Sequence, residues 1–174
     1  SLYLLKNSSA SASLSQNKLG AFTGKVDWKY DTFLKGNVSV EGGSSLDSIS
    51  GTGSARFVKD LPISGSELTI RKGSSGTAKI VGSDLDSVGG KLLWFWGSDK
   101  WLTGDITVPD GTKVDSPAGT ATARLNVDKP LGGDFVLNKG GALKADFAAG
   151  KVTSMSGRVL WTYGTDKWLK GDVT

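Results

Sequence analysis

The sequence predicts an all-β protein of antiparallel β-hairpin repeats, about 12 strands arranged as a sandwich, a barrel or a stacked-hairpin solenoid. Three observations carry that reading. A Trp-containing hairpin recurs along the chain, its strands alternate strictly between apolar and other residues, and Gly/Ser/Asp turns separate them. The recurrence is plainest between residues 92–107 and 159–174, and a degenerate copy at 26–39 lacks two turn residues. Trp28, Trp94 and Trp161 stand 66 and 67 residues apart, and roughly 15 of 40 positions are identical between 68–107 and 135–174.

In chain order, Leu2 and Leu4 form one side of a first strand, with Tyr3 and Leu5 on the other. Ala12 and Leu14 follow, then the first Trp strand, in which Val26, Trp28 and Tyr30 alternate with Asp27 and Lys29. An 11-residue connector, 41–51, leads to a strand bearing Ala55 and Phe57; Leu68 and Ile70, then Ala78 and Ile80, mark the next two. The second Trp strand sets Leu92, Trp94 and Trp96 on one side. Its return strand sets Leu102, Gly104, Ile106 and Val108 against Thr103, Asp105 and Thr107. A slip of one residue there would bury Asp105, so the register is expected to be tightly held. The connector 109–119 then repeats the earlier one, and Ala123, Leu125, Phe135, Leu137, Ala145, Phe147, Val159, Trp161 and Tyr163 repeat the series. Three repeats result, 1–40 (truncated), 41–108 and 109–174, expected to join in one continuous β structure. Shorter units opening at Leu19, Leu46, Leu85, Val114 and Val152 are each expected to precede a strand. The chain starts and stops inside the repeat. A first residue other than Met and an opening apolar run too short for a signal peptide point to a processed or excised chain.

Composition narrows function more than it identifies it. The 174 residues include 25 Gly and carry a net charge of +4, with no Cys and no His. The commonest general base, the commonest transition-metal ligand, disulfides and thiol chemistry are therefore all missing. Lysines are dispersed, with no basic stripe interleaved with aromatics for nucleic acid, and no apolar run approaches the roughly 20 residues of a membrane helix. No nucleophile elbow or phosphate loop is present. No cofactor or metal is expected: Asp84 and Asp86 align with Lys18 and Gly20 and with Lys151 and Thr153, so they are not a repeated site. Asp105, Asp172 and Asn37, beside Lys35 and Lys170, read as cross-strand charge pairs, and Arg56 and Arg124 as partners of Asp60 or Asp128.

Two residue sets are candidates for contact with a partner. The turn Gly97-Ser-Asp-Lys-Trp101 recurs as Gly164-Thr-Asp-Lys-Trp168. It offers Trp101 and Trp168 to stack a sugar ring, with Asp99, Asp166, Lys100 and Lys167 to hydrogen-bond it. Leu93 and Phe95 make the middle hairpin apolar on both faces, so they and Tyr3 and Leu5 are candidates for a subunit interface. The expected function is a non-enzymatic structural or assembly module of an extracellular fibre, adhesin stalk or virion fibre, tube or decoration, with protein partners by self-assembly or neighbouring subunits. A carbohydrate-binding module is the second reading. The Gly-x-apolar-x-Trp hairpin series loosely resembles the β-repeats of AsmA-type envelope proteins, which implies an apolar groove for lipid as a third.

Overall fold

The computed structural model describes residues 1–15, 18–45 and 47–174; Leu46, which opens one of the short units, lies outside them. The described residues contain sixteen strands and no helix. The first repeat holds β1 (Leu2–Leu4), β2 (Ser9–Ser15), β3 (Lys18–Tyr30) and most of β4 (Leu34–Ser44), which runs on past residue 40 into the expected connector. The second holds β5 (Gly51–Phe57), β6 (Leu61–Pro62), β7 (Leu68–Ile70), β8 (Ser75–Val81), β9 (Asp84–Trp96) and the first part of β10 (Leu102–Lys113), which likewise runs on past residue 108. The third repeats those six as β11 (Ala118–Leu125), β12 (Lys129–Gly132), β13 (Phe135–Leu137), β14 (Ala142–Ala148), β15 (Lys151–Tyr163) and β16 (Leu169–Val173). All pair antiparallel in one sheet that is not closed. The architecture is therefore neither a barrel nor a sandwich, and sixteen strands replace the expected twelve. The units at Leu19, Leu85 and Val152 do not precede strands; they lie within β3, β9 and β15.

Each repeat is organised by one 13-residue strand, β3, β9 or β15. One edge of that strand pairs with two pieces of a broken strand. In the second repeat β8 covers the first half of β9, and β7 covers Trp94–Trp96; β2 with β1, and β14 with β13, do the same for β3 and β15. The break at 71–74 is closed by Ser74, which is 1% exposed. Its hydroxyl donates toward the carbonyls of Arg71 (2.8 Å) and Leu93 (3.2 Å) and accepts the Leu93 N–H (2.9 Å). Ser8 does the same in the first repeat with Leu5 and Asp27. The strand can therefore break without orphaning backbone groups.

Register places Val26, Trp28 and Tyr30, Leu92, Trp94 and Trp96, and Val159, Trp161 and Tyr163 on one face, with Leu93, Phe95 and Leu160 on the other. The row Trp94, Gly104, Ala123, Leu143, Gly157 crosses five strands. The adjacent row Leu93, Asp105, Thr122, Lys144, Ser156 lies on the opposite face, which is mainly polar. Trp94 lies against Gly104, Trp28 against Gly36 and Trp161 against Gly171, so each indole fills the space that a cross-strand side chain would take. The Trp residues are nevertheless only half-buried, because no second layer covers them. Among the described residues the buried apolar side chains are Phe95 and Leu125 alone.

Aspartates tie the polar face together. Burial pushes the Asp105 carboxyl up, but the Thr122 hydroxyl at 2.7 Å, Lys91 at 3.4 Å and Thr107 outweigh it and hold the group below the ordinary value of 3.8. The backbone N–H of Lys139 holds Asp128 down, Lys113 does so for Asp86, and the Ser154 hydroxyl for Asp146. A carboxylate with a depressed folded pKa contributes stability above its unfolded pKa and loses it as pH falls through the folded value. The melting temperature is therefore expected to change little from these groups between pH 7 and 5 and to fall below about pH 4; thermal melts at a series of pH values measure this.

Candidate interaction surface

The sugar-stacking candidates occupy two different environments. Trp101 is half-buried, and Lys129 Nζ lies 5.0 Å from its ring centroid. Lys100 is turned away from Trp101: its ammonium sits 4.7 Å from the Phe95 ring, and its backbone takes a left-handed φ of 55° at the turn. Trp168 is 70% exposed and meets Tyr163 edge-on, with ring centroids 6.3 Å apart. Lys167, also left-handed, lies 3.7 Å from Asp128. Asp99 and Asp166 are exposed. Gly97 and Gly164, both at positive φ, lie directly beneath the two indoles, where a methyl group would strike the ring.

The interface candidates also separate. Phe95 is 9% exposed, on the polar face between Thr69 and Thr103 and beneath Lys100. Leu93 is half-buried beside the 71–74 break. Tyr3 is exposed with Lys29 Nζ 4.9 Å from its ring centroid, and Leu5 donates its N–H to the Asp27 carbonyl. The charge pairs follow expectation for the repeated aspartates and depart from it for the arginines. Asp105 on β10 pairs across strands with Lys91 on β9, and Asp172 on β16 with Arg158 on β15. Asp60 accepts the Lys72 N–H and Asp128 pairs with Lys167, so neither neutralises Arg56 or Arg124.

The largest surface that sequence reasoning missed is the apolar face itself. Leu2, Leu4, Tyr30, Leu143, Met155, Tyr163 and Val173 are exposed along it, and register puts them on the side of Trp28, Trp94 and Trp161. The chain exposes 11158 Å² in all. A compact monomer of 18.1 kDa exposes roughly 8,100 Å², so roughly 3,000 Å² is surface that globular folding would have hidden. Among the described residues no group of three or more acidic side chains could hold a metal ion, and no helix is long and apolar enough to cross a membrane. Comparison with known proteins finds no match to a family, to a curated protein or to a solved structure.

Proposed function

We propose that this protein is a non-enzymatic structural module of an extracellular or virion assembly, and that its apolar face is buried against the same face of a second copy. The observation that carries the reading is the uncovered apolar side of a single open sheet. An antiparallel sheet tolerates one wet face; its apolar face needs a cover. The surplus of roughly 3,000 Å² per chain is ample for an interface, since obligate homodimers bury about 2,000–5,000 Å² in total. Two such sheets stacked face to face would also supply the inter-sheet core of a β-sandwich.

Size-exclusion chromatography with light scattering tests it. The expected mass exceeds the 18.1 kDa of one chain and rises with concentration. Met155→Lys, at a position 68% exposed on the apolar face, is expected to shift the population to monomer with little effect on monomer stability. A strictly monomeric wild type at all concentrations would overturn the reading.

A further inference from the structure

We infer that the polar face carries a binding groove for an extended acidic polysaccharide, with Lys35 and Arg56 as its anion contacts. The groove, of about 810 Å³, crosses β3, β4, β5, β8, β9 and β10. Two transverse rows wall it. One is Lys35, Arg56, Ser75, Lys91 and Thr107, in register strand by strand. The other is Asp27, Asn37, Ser54 and Thr77, extended on β10 by Asp110, which accepts the Thr77 hydroxyl at 2.6 Å. Between the rows run Gly36, Ala55, Gly76 and Gly90, whose Cβ positions face the other side. The floor is therefore bare backbone, which permits close approach.

The charge arrangement needs a counter-ion. Lys29, Lys35 and Arg56 stand directly opposite one another on β3, β4 and β5, and like charges in that register are destabilising. Lys29 lies against Tyr3 and Lys91 pairs with Asp105, while Asp27 is 3.7 Å from Lys25. Among the described residues Lys35 and Arg56 make no ion pair. The three cations meet in register only here, although Arg56 recurs as Arg124 and Lys35 as Lys170. The second repeat has Phe95 and Thr103 where the first has Lys29 and Lys35, and the third has Thr162 and Lys170.

The two walls select the ligand. Cations on one side suit a row of carboxylates; Asn37, Ser54, Thr77 and the carboxylates of Asp27 and Asp110 on the other suit hydroxyl groups. Six strands spaced about 4.8 Å apart give a length of roughly 24 Å, and that spacing is close to the rise of a pyranose unit along an extended chain. Nucleic acid fits less well, because the aromatic residue that lines the groove, Trp28, stands in the floor row with its side chain on the other face and offers no ring to a base. The groove lies on the face away from the proposed self-contact, so the two ideas stand or fall separately.

Calorimetric titration of the full chain with an oligogalacturonate at low salt tests the inference. Binding is expected, with none for neutral dextran. Lys35→Ser and Arg56→Ser should each weaken binding about tenfold, while melting temperature does not fall, relief of the like-charge contact raising it if anything, and light-scattering mass stays unchanged. Arg124→Ser, outside the groove, should leave it intact. Failure of the folded wild type to bind, or an equal loss in Arg124→Ser, would overturn the site. Tighter binding of a single-stranded oligonucleotide with the same dependence on Lys35 and Arg56 would overturn the polysaccharide assignment.

Discussion

Gly104→Ala is expected to cost about 3 kcal/mol, at the upper end of ordinary overpacking, and to lower the melting temperature by roughly 6–12 °C for a chain of this size. A methyl group at 104 would fall inside the van der Waals envelope of the Thr122 carbonyl oxygen and 2.5 Å from Trp94 Cζ2. The carbonyl belongs to the neighbouring strand β11 and cannot turn aside, so the strands themselves must separate. Gly36→Ala meets the same obstacle in the Ser54 carbonyl, with Trp28 Cζ2 at 2.7 Å. Gly171→Ala meets Trp161 ring atoms at 2.6 Å and beyond, without a backbone oxygen. An indole can tilt where a strand cannot, so this third substitution is expected to cost about 1 kcal/mol. Calorimetric melts of the three variants test the order, and a Gly171→Ala as damaging as Gly104→Ala would show that the indole contact, and not strand separation, sets the cost.

Those glycines also mark where the sequence stops being informative. Alternation in 92–96 and 102–108 is enough to assign hairpins and faces, because period two is a local property. That Gly104 lies under Trp94 depends on register between strands, and the same uncertainty hides what lies over the apolar face. A row such as Leu92, Trp94, Trp96 demands a cover but carries no information about whether another strand of the same chain supplies it. The expected core positions Trp94 and Trp161 are therefore apolar-facing as read, yet only half-buried. Phe95 departs in the opposite sense: alternation marks it as a residue on the wrong face, whereas Lys100 and its strand neighbours cover it within the chain. The strand count is short because the long strand takes two partners on one edge, and the small pairs β6–β7 and β12–β13 are too brief to show a period. The polar groove has no local signature at all. Lys35 and Arg56 become neighbours only when β4 pairs with β5.

Removing the hydroxyl of Ser74 is expected to destabilise the protein by about 2–3 kcal/mol, because a buried donor is left without its acceptor. In the sequence Lys72-Gly-Ser-Ser-Gly this residue reads as part of a turn. In the structure it is the most deeply buried side chain, and its oxygen accepts the N–H of Leu93 at the point where β7 has ended and β8 has not begun. The Leu93 carbonyl retains the Arg71 N–H at 2.9 Å, so the loss in Ser74→Ala falls mainly on that N–H. Ser8→Ala, at a half-buried and otherwise equivalent site, is expected to cost about 1 kcal/mol. The third repeat supplies the reverse experiment. Its equivalent is Gly141, whose backbone lies outside the left-handed region, and a Cβ there would stand 3.5 Å from the Leu160 nitrogen, in ordinary contact with the Arg158 carbonyl oxygen at 3.4 Å and 3.3 Å from a Leu125 methyl that can move. Gly141→Ser is therefore expected to build the missing contact and to narrow the unfolded ensemble, raising stability by about 1 kcal/mol. Denaturant titrations of the three variants measure the signs directly, and a Gly141→Ser that destabilises would mean that the third break is held by packing against Leu125 instead of by its backbone hydrogen bonds.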